Sequence, residues 1–163
     1  MTIGLGFART QCAFVCPDPL IYAGDETVVG PITPPSWVGG WSLPFTFPFV
    51  IGSSLTGGEA DLVNEGTVEA GLRFRIDGPC KDPSVTVTQG DSVRTLTVST
   101  TVASGDWLDI DTAARTVYYN GEANQRGYMY GDWPLAPVGT SVVRYRCSEG
   151  VGSLTVTFRS AWW

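Results

Sequence analysis

The chain has 163 residues, ten basic against sixteen acidic and no histidine, for a formal net charge of −6. The length fits one domain that buries most of the apolar surface of its unfolded form. The missing histidine removes Ser-His-Asp, Cys-His and histidine–metal constellations. A single lysine, Lys81, and dispersed arginines argue against a phosphate-binding surface, so no nucleic-acid partner is expected.

Twenty glycines and eleven prolines without a period point to many turns rather than to repeats or disorder. No apolar run approaches the roughly 20 residues of a membrane helix. The N-terminus lacks the basic region and apolar core of a secretory signal.

Residues 1–43 are rich in Pro and Gly, with short apolar bursts at 12–15 and 20–23 and no sustained period. Val28-Val29 is their one candidate for brief strand pairing. Trp37 and Trp41 stand among chain breakers in PPSWVGGW. This composition predicts an extended N-terminal arm lying on another surface, because free exposure of two tryptophans is costly. Residues 44–163 are predicted to form the second unit, a sandwich domain.

From Pro44 onward the period is two. Phe45, Phe47 and Phe49 alternate, with Pro48 marking an edge or an extended entry. Ala60, Leu62 and Asn64 follow, and Asn64-Glu65-Gly66 turns. Leu72, Phe74 and Ile76 alternate with Arg73, Arg75 and Asp77, the most regular strand in the sequence. Asp77-Gly78-Pro79 ends it. Val85 and Val87 make a short strand, and residues 93–100 a longer β-branched one.

The stretch GDWLDIDTAARTVYYNG at 105–121 reads as a hairpin. Leu108 and Ile110 lie on one face, Asp111–Ala114 supplies the turn, and Val117 and Tyr119 return. Strand-like neighbours on both sides place this hairpin mid-sheet. Residues 125–131 form a polar-aromatic connection, and Pro137–Gly139 a turn. Val143, Tyr145 and Cys147 form one face of a strand, and Leu154, Val156 and Phe158 another. No window shows capped helical spacing. The pattern predicts an all-β antiparallel β-sandwich, jelly-roll-like, with Leu72, Phe74, Ile76, Leu108, Ile110, Val117, Tyr119, Val143, Tyr145, Leu154, Val156 and Phe158 facing inward.

The four cysteines are Cys12, Cys16, Cys80 and Cys147. Cys12-x3-Cys16 is a weak zinc-like spacing with no second pair, and free thiols are the favoured reading over zinc or a disulfide. Asp109 and Asp111 share a strand face, which suits a two-carboxylate hydrolase or a calcium site. Two carboxylates beside a turn are more often solvated, with Asp111 capping its own loop. No nucleophile elbow, phosphate loop or metal cluster accompanies them, so neither an enzyme nor a cofactor is expected.

The punctuation of residues 44–163 resembles the C-terminal domain of siphophage distal tail proteins, the form called minor tail protein in phages of actinobacteria. Its marks are Asn64-Glu65-Gly66-Thr67, Ile76-Asp77-Gly78-Pro79 with Pro83, Gly105-Asp106-Trp107-Leu108 and Ile110-Asp111-Thr112. Asn120-Gly121, then Trp133, Leu135 and Pro137, and finally Arg159-Ser160-Ala161-Trp162 complete them. The resemblance implies a galectin-like sandwich and a structural place in the tail tip or baseplate. It implies a homo-oligomeric ring in contact with other tail proteins, a location in the virion after assembly in the host cytoplasm, and no catalytic residues.

Two departures are visible. The short Pro/Gly/Trp-rich segment stands where the family's ring-forming domain would be, which leaves a hub and an accessory tail protein both open. Pro137-Val138-Gly139 also replaces a more usual adjacent Pro-Gly turn.

The six tryptophans carry the functional choice. As interface residues, Trp37, Trp41, Trp162 and Trp163 are the assembly candidates. As sugar-stacking platforms, the same residue type gives the alternative, a carbohydrate-binding module for host cell-wall glycan.

Overall fold

A computed structural model describes residues 11–15, 18–38 and 54–163, with backbone alone at 36–38 and 54–56. Trp41, Cys16 and the alternation of Phe45, Phe47 and Phe49 lie outside the described residues. In chain order the strands are β1 (Ile21–Tyr22), β2 (Thr27–Ile32), β3 (Ser36–Val38), β4 (Ser54–Thr56), β5 (Glu59–Asn64), β6 (Ala70–Asp77) and β7 (Cys80–Lys81). They continue as β8 (Ser84–Gln89), β9 (Ser92–Val98), β10 (Thr101–Val102), β11 (Trp107–Asp111), β12 (Thr116–Tyr119), β13 (Ala123–Asn124) and β14 (Met129–Gly131). The last are β15 (Leu135–Ala136), β16 (Gly139–Arg146), β17 (Glu149–Gly150), β18 (Ser153–Phe158) and β19 (Ala161–Trp162). Among the described residues the one helical element is a 3-10 turn at Arg126–Tyr128.

Two antiparallel sheets form the sandwich. The larger runs β13-β12-β11-β6-β18-β2, with β15 also pairing β6, and the smaller runs β14-β9-β8-β16-β5. Period-two alternation explains which face is buried. In β6, Leu72, Phe74 and Ile76 are at most 1% exposed, while Arg73 and Arg75 point outward. Every residue of the expected core is buried except Tyr119. Tyr119 only packs against the core; its hydroxyl reaches outward to donate to Asp106 Oδ2 at 2.7 Å.

Two expectations are corrected. The hairpin β11–β12 lies toward one edge of the larger sheet, since only the two-residue β13 follows it. The described part of residues 1–43 does not stand apart as an arm. β2 pairs with β18, setting Val28 against Thr157 and Val29 against Val156, and Ile32 enters the core. The physical reason is the edge of β18, whose unpaired amides and carbonyls a β-branched segment can cover. Between Leu154 and Val156 the register shifts, because β2 spends one residue more than β18 there, a β-bulge.

The outer faces differ in chemistry. The larger sheet presents a lattice of charge, with Asp109 opposite Arg75 and Asp111 opposite Arg73. Over β8 and β9 the smaller sheet presents hydroxyls and methyls instead, with Ser84 opposite Thr97, Thr86 opposite Thr95 and Thr88 opposite Val93. Thr86 and Thr95 share a hydroxyl–hydroxyl bond of 2.9 Å.

Candidate functional site

The C-terminal ribbon is built from one of the sequence marks. Asn64 is 1% exposed. Its Nδ2 donates to Val68 O at 2.8 Å and Ala136 O at 3.0 Å, and its Oδ1 accepts from Gly66 N at 3.0 Å. Gly66 lies so close to the Ala161 backbone that a Cβ there would collide with the Ala161 carbonyl. Ala161 O in turn accepts from Thr67 N at 2.9 Å and Val68 N at 3.2 Å, and Thr67 Oγ1 accepts from Trp163 N at 3.1 Å. The Asn-Glu-Gly-Thr motif therefore fixes the C-terminal strand, and with it the two terminal tryptophans.

β19 also pairs with β1, setting Ile21 against Trp162 and Tyr22 against Ala161. This brings Trp162, half-buried, and Trp163, 81% exposed, next to Ile21 at 67% and Tyr22 at 44%. Of the four assembly candidates, the structure brings Trp162 and Trp163 together at one ribbon. Trp37 contributes its backbone to the β3–β4 pair, opposite Leu55. Ile21 and Tyr22 were missed in the sequence, because a two-residue strand leaves no periodic signal.

The other tryptophans make no sugar-stacking row among the described residues. Trp133 packs against the core. The Arg75 guanidinium covers the Trp107 ring at 4.6 Å, and Trp107 Nε1 donates to Asp109 Oδ2 at 2.7 Å. Asp111 behaves as the turn chemistry requires, with Oδ1 accepting from Ala114 N at 2.8 Å and Oδ2 from Arg73 Nε at 3.2 Å.

The remaining marks are structural. Thr112 exchanges bonds with Leu72, Oγ1 accepting from Leu72 N at 2.8 Å and the Thr112 amide donating to Leu72 O at 2.9 Å. A Cβ on Gly78 would strike the Ala103 carbonyl, and Gly78 N donates to Asp106 O at 2.9 Å. Asp106 accepts from Asn120 Nδ2 at 2.8 Å as well as from Tyr119. The Asn120 bond first, and the Tyr119 bond next, hold its carboxyl below the usual carboxylate range.

Cys12, Cys80 and Cys147 are free thiols. Burial pushes the Cys80 and Cys147 thiols up, so both stay protonated at neutral pH. Tyr145 is fully buried, and its hydroxyl has no nitrogen or oxygen partner; the Cys80 thiol is its polar neighbour. Among the described residues no group of acidic, Cys or His side chains is arranged to hold a metal ion.

The fold is thus an all-β antiparallel sandwich whose signature residues Asn64, Gly66, Gly78 and Thr112 hold neighbouring backbone segments together. Residues 65–162 match the family model described as the siphovirus-type tail component, C-terminal domain. The chain belongs to that family of phage tail components. It is also similar to the crystal structure of SPP1 Dit (gp 19.1), described as a paradigm of the hub adsorption apparatus in Gram-positive infecting phages. The TM-score is 0.60 at 12% identity, over 91% of this chain and 51% of that one, a likeness of fold. The chain thus spans about half the length of SPP1 Dit. No curated protein matches.

Proposed function

We propose that the chain is a structural part of the phage tail tip or baseplate, working by protein–protein assembly as a homo-oligomeric ring docked on neighbouring tail proteins. The observation that carries this reading is Trp163, 81% exposed, which directly follows β19 and whose backbone N–H donates to Thr67 Oγ1 at 3.1 Å. An exposed tryptophan on rigid backbone loses little conformational freedom on docking, the profile of an interface anchor. Ile21, 67% exposed, pairs opposite Trp162 on the same ribbon. Trp37 and Trp41 are proposed as further anchors, on the composition of their segment.

The test is complementation of particles lacking the protein. A Trp162→Ala, Trp163→Ala variant, folded as judged by its melting curve, is expected to incorporate at least about 30-fold less well, the loss of one interface hot spot of about 2 kcal/mol. Incorporation equal to that of the parent protein overturns the reading.

A further inference from the structure

Ahead of β1 and β2, which join the sandwich, residues 11–15 read Gln-Cys-Ala-Phe-Val, without charge, proline or glycine. They belong to no strand, and all five are exposed, Phe14 at 93% and Val15 at 91%. Such a sequence suits an extended strand, and its two large apolar side chains gain by leaving water.

The sandwich has an edge of matching length. β5 is the last strand of the smaller sheet and pairs with β16 alone. Tyr145 N donates to Gly58 O at 2.7 Å, which sets the phase of that ladder. Ala60, Leu62 and Asn64 therefore turn their backbone groups toward β16, and Glu59, Asp61 and Val63 turn theirs to the open side. Those three residues are exposed. The other edges are blunted: β2 carries Pro31 and the bulge, β13 has two residues and β14 three. β5 has six, with neither proline nor bulge.

Strand and edge suit each other. Consecutive residues of an added strand face opposite ways. One of Phe14 and Val15 then extends the core past half-buried Ala60, and the other lies along Val63, 49% exposed. Glu59 is already paired with Arg144 at 2.7 Å, while Asp61 has no ion pair among the described residues. An uncharged strand meets this acidic edge without the like-charge repulsion that an acidic segment would suffer. Each chain holds one such strand and one such edge, so copies can link head to tail, the heterologous contact that a closed ring needs.

We propose that residues 11–15 of one copy add as a strand to the open edge of β5 in the next copy. This rests on the assembly reading above and names one of its contacts, separate from the Trp162–Trp163 ribbon.

The test is sedimentation velocity and amide exchange on the purified full chain. The parent is expected to self-associate. Its Glu59, Asp61 and Val63 amides should gain protection when concentration rises about a hundredfold, while Ala60 and Leu62 are protected throughout. Phe14→Asp spoils the strand, and Asp61→Pro removes an edge amide that β16 does not use. Each variant, folded as judged by its melting curve, should weaken self-association about tenfold or more. An equimolar mixture of the two should form dimers and stop there, since only the Asp61→Pro copy offers a strand and only the Phe14→Asp copy an intact edge. A parent that stays monomeric, edge protection that does not change with concentration, or a mixture that stays monomeric or grows past dimers overturns the proposal. The incorporation assay reads the tryptophan ribbon instead, so either result can fail while the other stands.

Discussion

Replacing Asn64 with Ala tests the joint that holds the C-terminal ribbon. The side chain is 1% exposed and satisfies two carbonyls and one amide, at 2.8, 3.0 and 3.0 Å. Truncation leaves those three backbone groups short of a partner in a region largely closed to water. Each unsatisfied buried group costs about 1–3 kcal/mol, and partial relaxation makes the sum less than additive, so a loss of about 2–4 kcal/mol is expected.

Asn64→Asp should cost at least as much, because it keeps the acceptor for Gly66 but turns both donors into a carboxylate facing carbonyl oxygens. Urea unfolding followed by tryptophan fluorescence reads the change as a lower midpoint at unchanged slope. Amide exchange at Thr67 and Val68 should accelerate with it, since both donate to Ala161 O. A loss under about 0.5 kcal/mol, or an Asp variant as stable as the parent, refutes the reasoning.

Phe74→Ala, at a side chain 1% exposed, should lower stability by about 3–5 kcal/mol in the same assay. Tyr145→Phe should be neutral or stabilising by up to about 1 kcal/mol, because it removes a buried hydroxyl that lacks an oxygen or nitrogen partner; a large loss would show that the Cys80 thiol matters more than its weak hydrogen bonding suggests. Asp106 has a lowered folded pKa, so its contribution is present above its unfolded value of about 3.9 and disappears as pH falls through the folded one. Asp106→Asn should therefore melt earlier than the parent at pH 7, with the gap closing toward pH 2; a constant gap would contradict the linkage. Deleting residues 1–32 should strip β2 from β18 and lower the melting temperature or cause aggregation, whereas a monomer of unchanged stability would sink the account of β2 as a working edge strand.

The long strands were legible because one face of each is buried. β6, β11, β16 and β18 show unbroken alternation, and their inward residues follow from it. β2 was not legible as a full strand: it is an edge, so Val28 is 62% exposed, and Gly30-Pro31 interrupts the period. β1, β13 and β19 are two residues each and carry no period at all. The tryptophans of the ribbon stood out by type, but their neighbours Ile21 and Tyr22 are brought by a pairing between the two ends of the described chain. The lattice of charge on the larger sheet was invisible for the same reason, since it exists only once register sets Arg73 against Asp111 and Thr157.

The unlike outer faces of the two sheets have a consequence for how contacts respond to solution conditions. Association through the larger sheet would trade its exposed ion pairs, Arg73–Asp111, Arg75–Asp77 and Arg159–Glu26, for contacts across the boundary, and would soften as ionic strength rises. Association through the threonine and valine surface of β8 and β9 has little charge to screen, and strengthens instead in excluded salts such as sulfate. Opposite signs in a salt series thus separate docking on the charged face of the larger sheet from docking over β8 and β9, before any complex is seen.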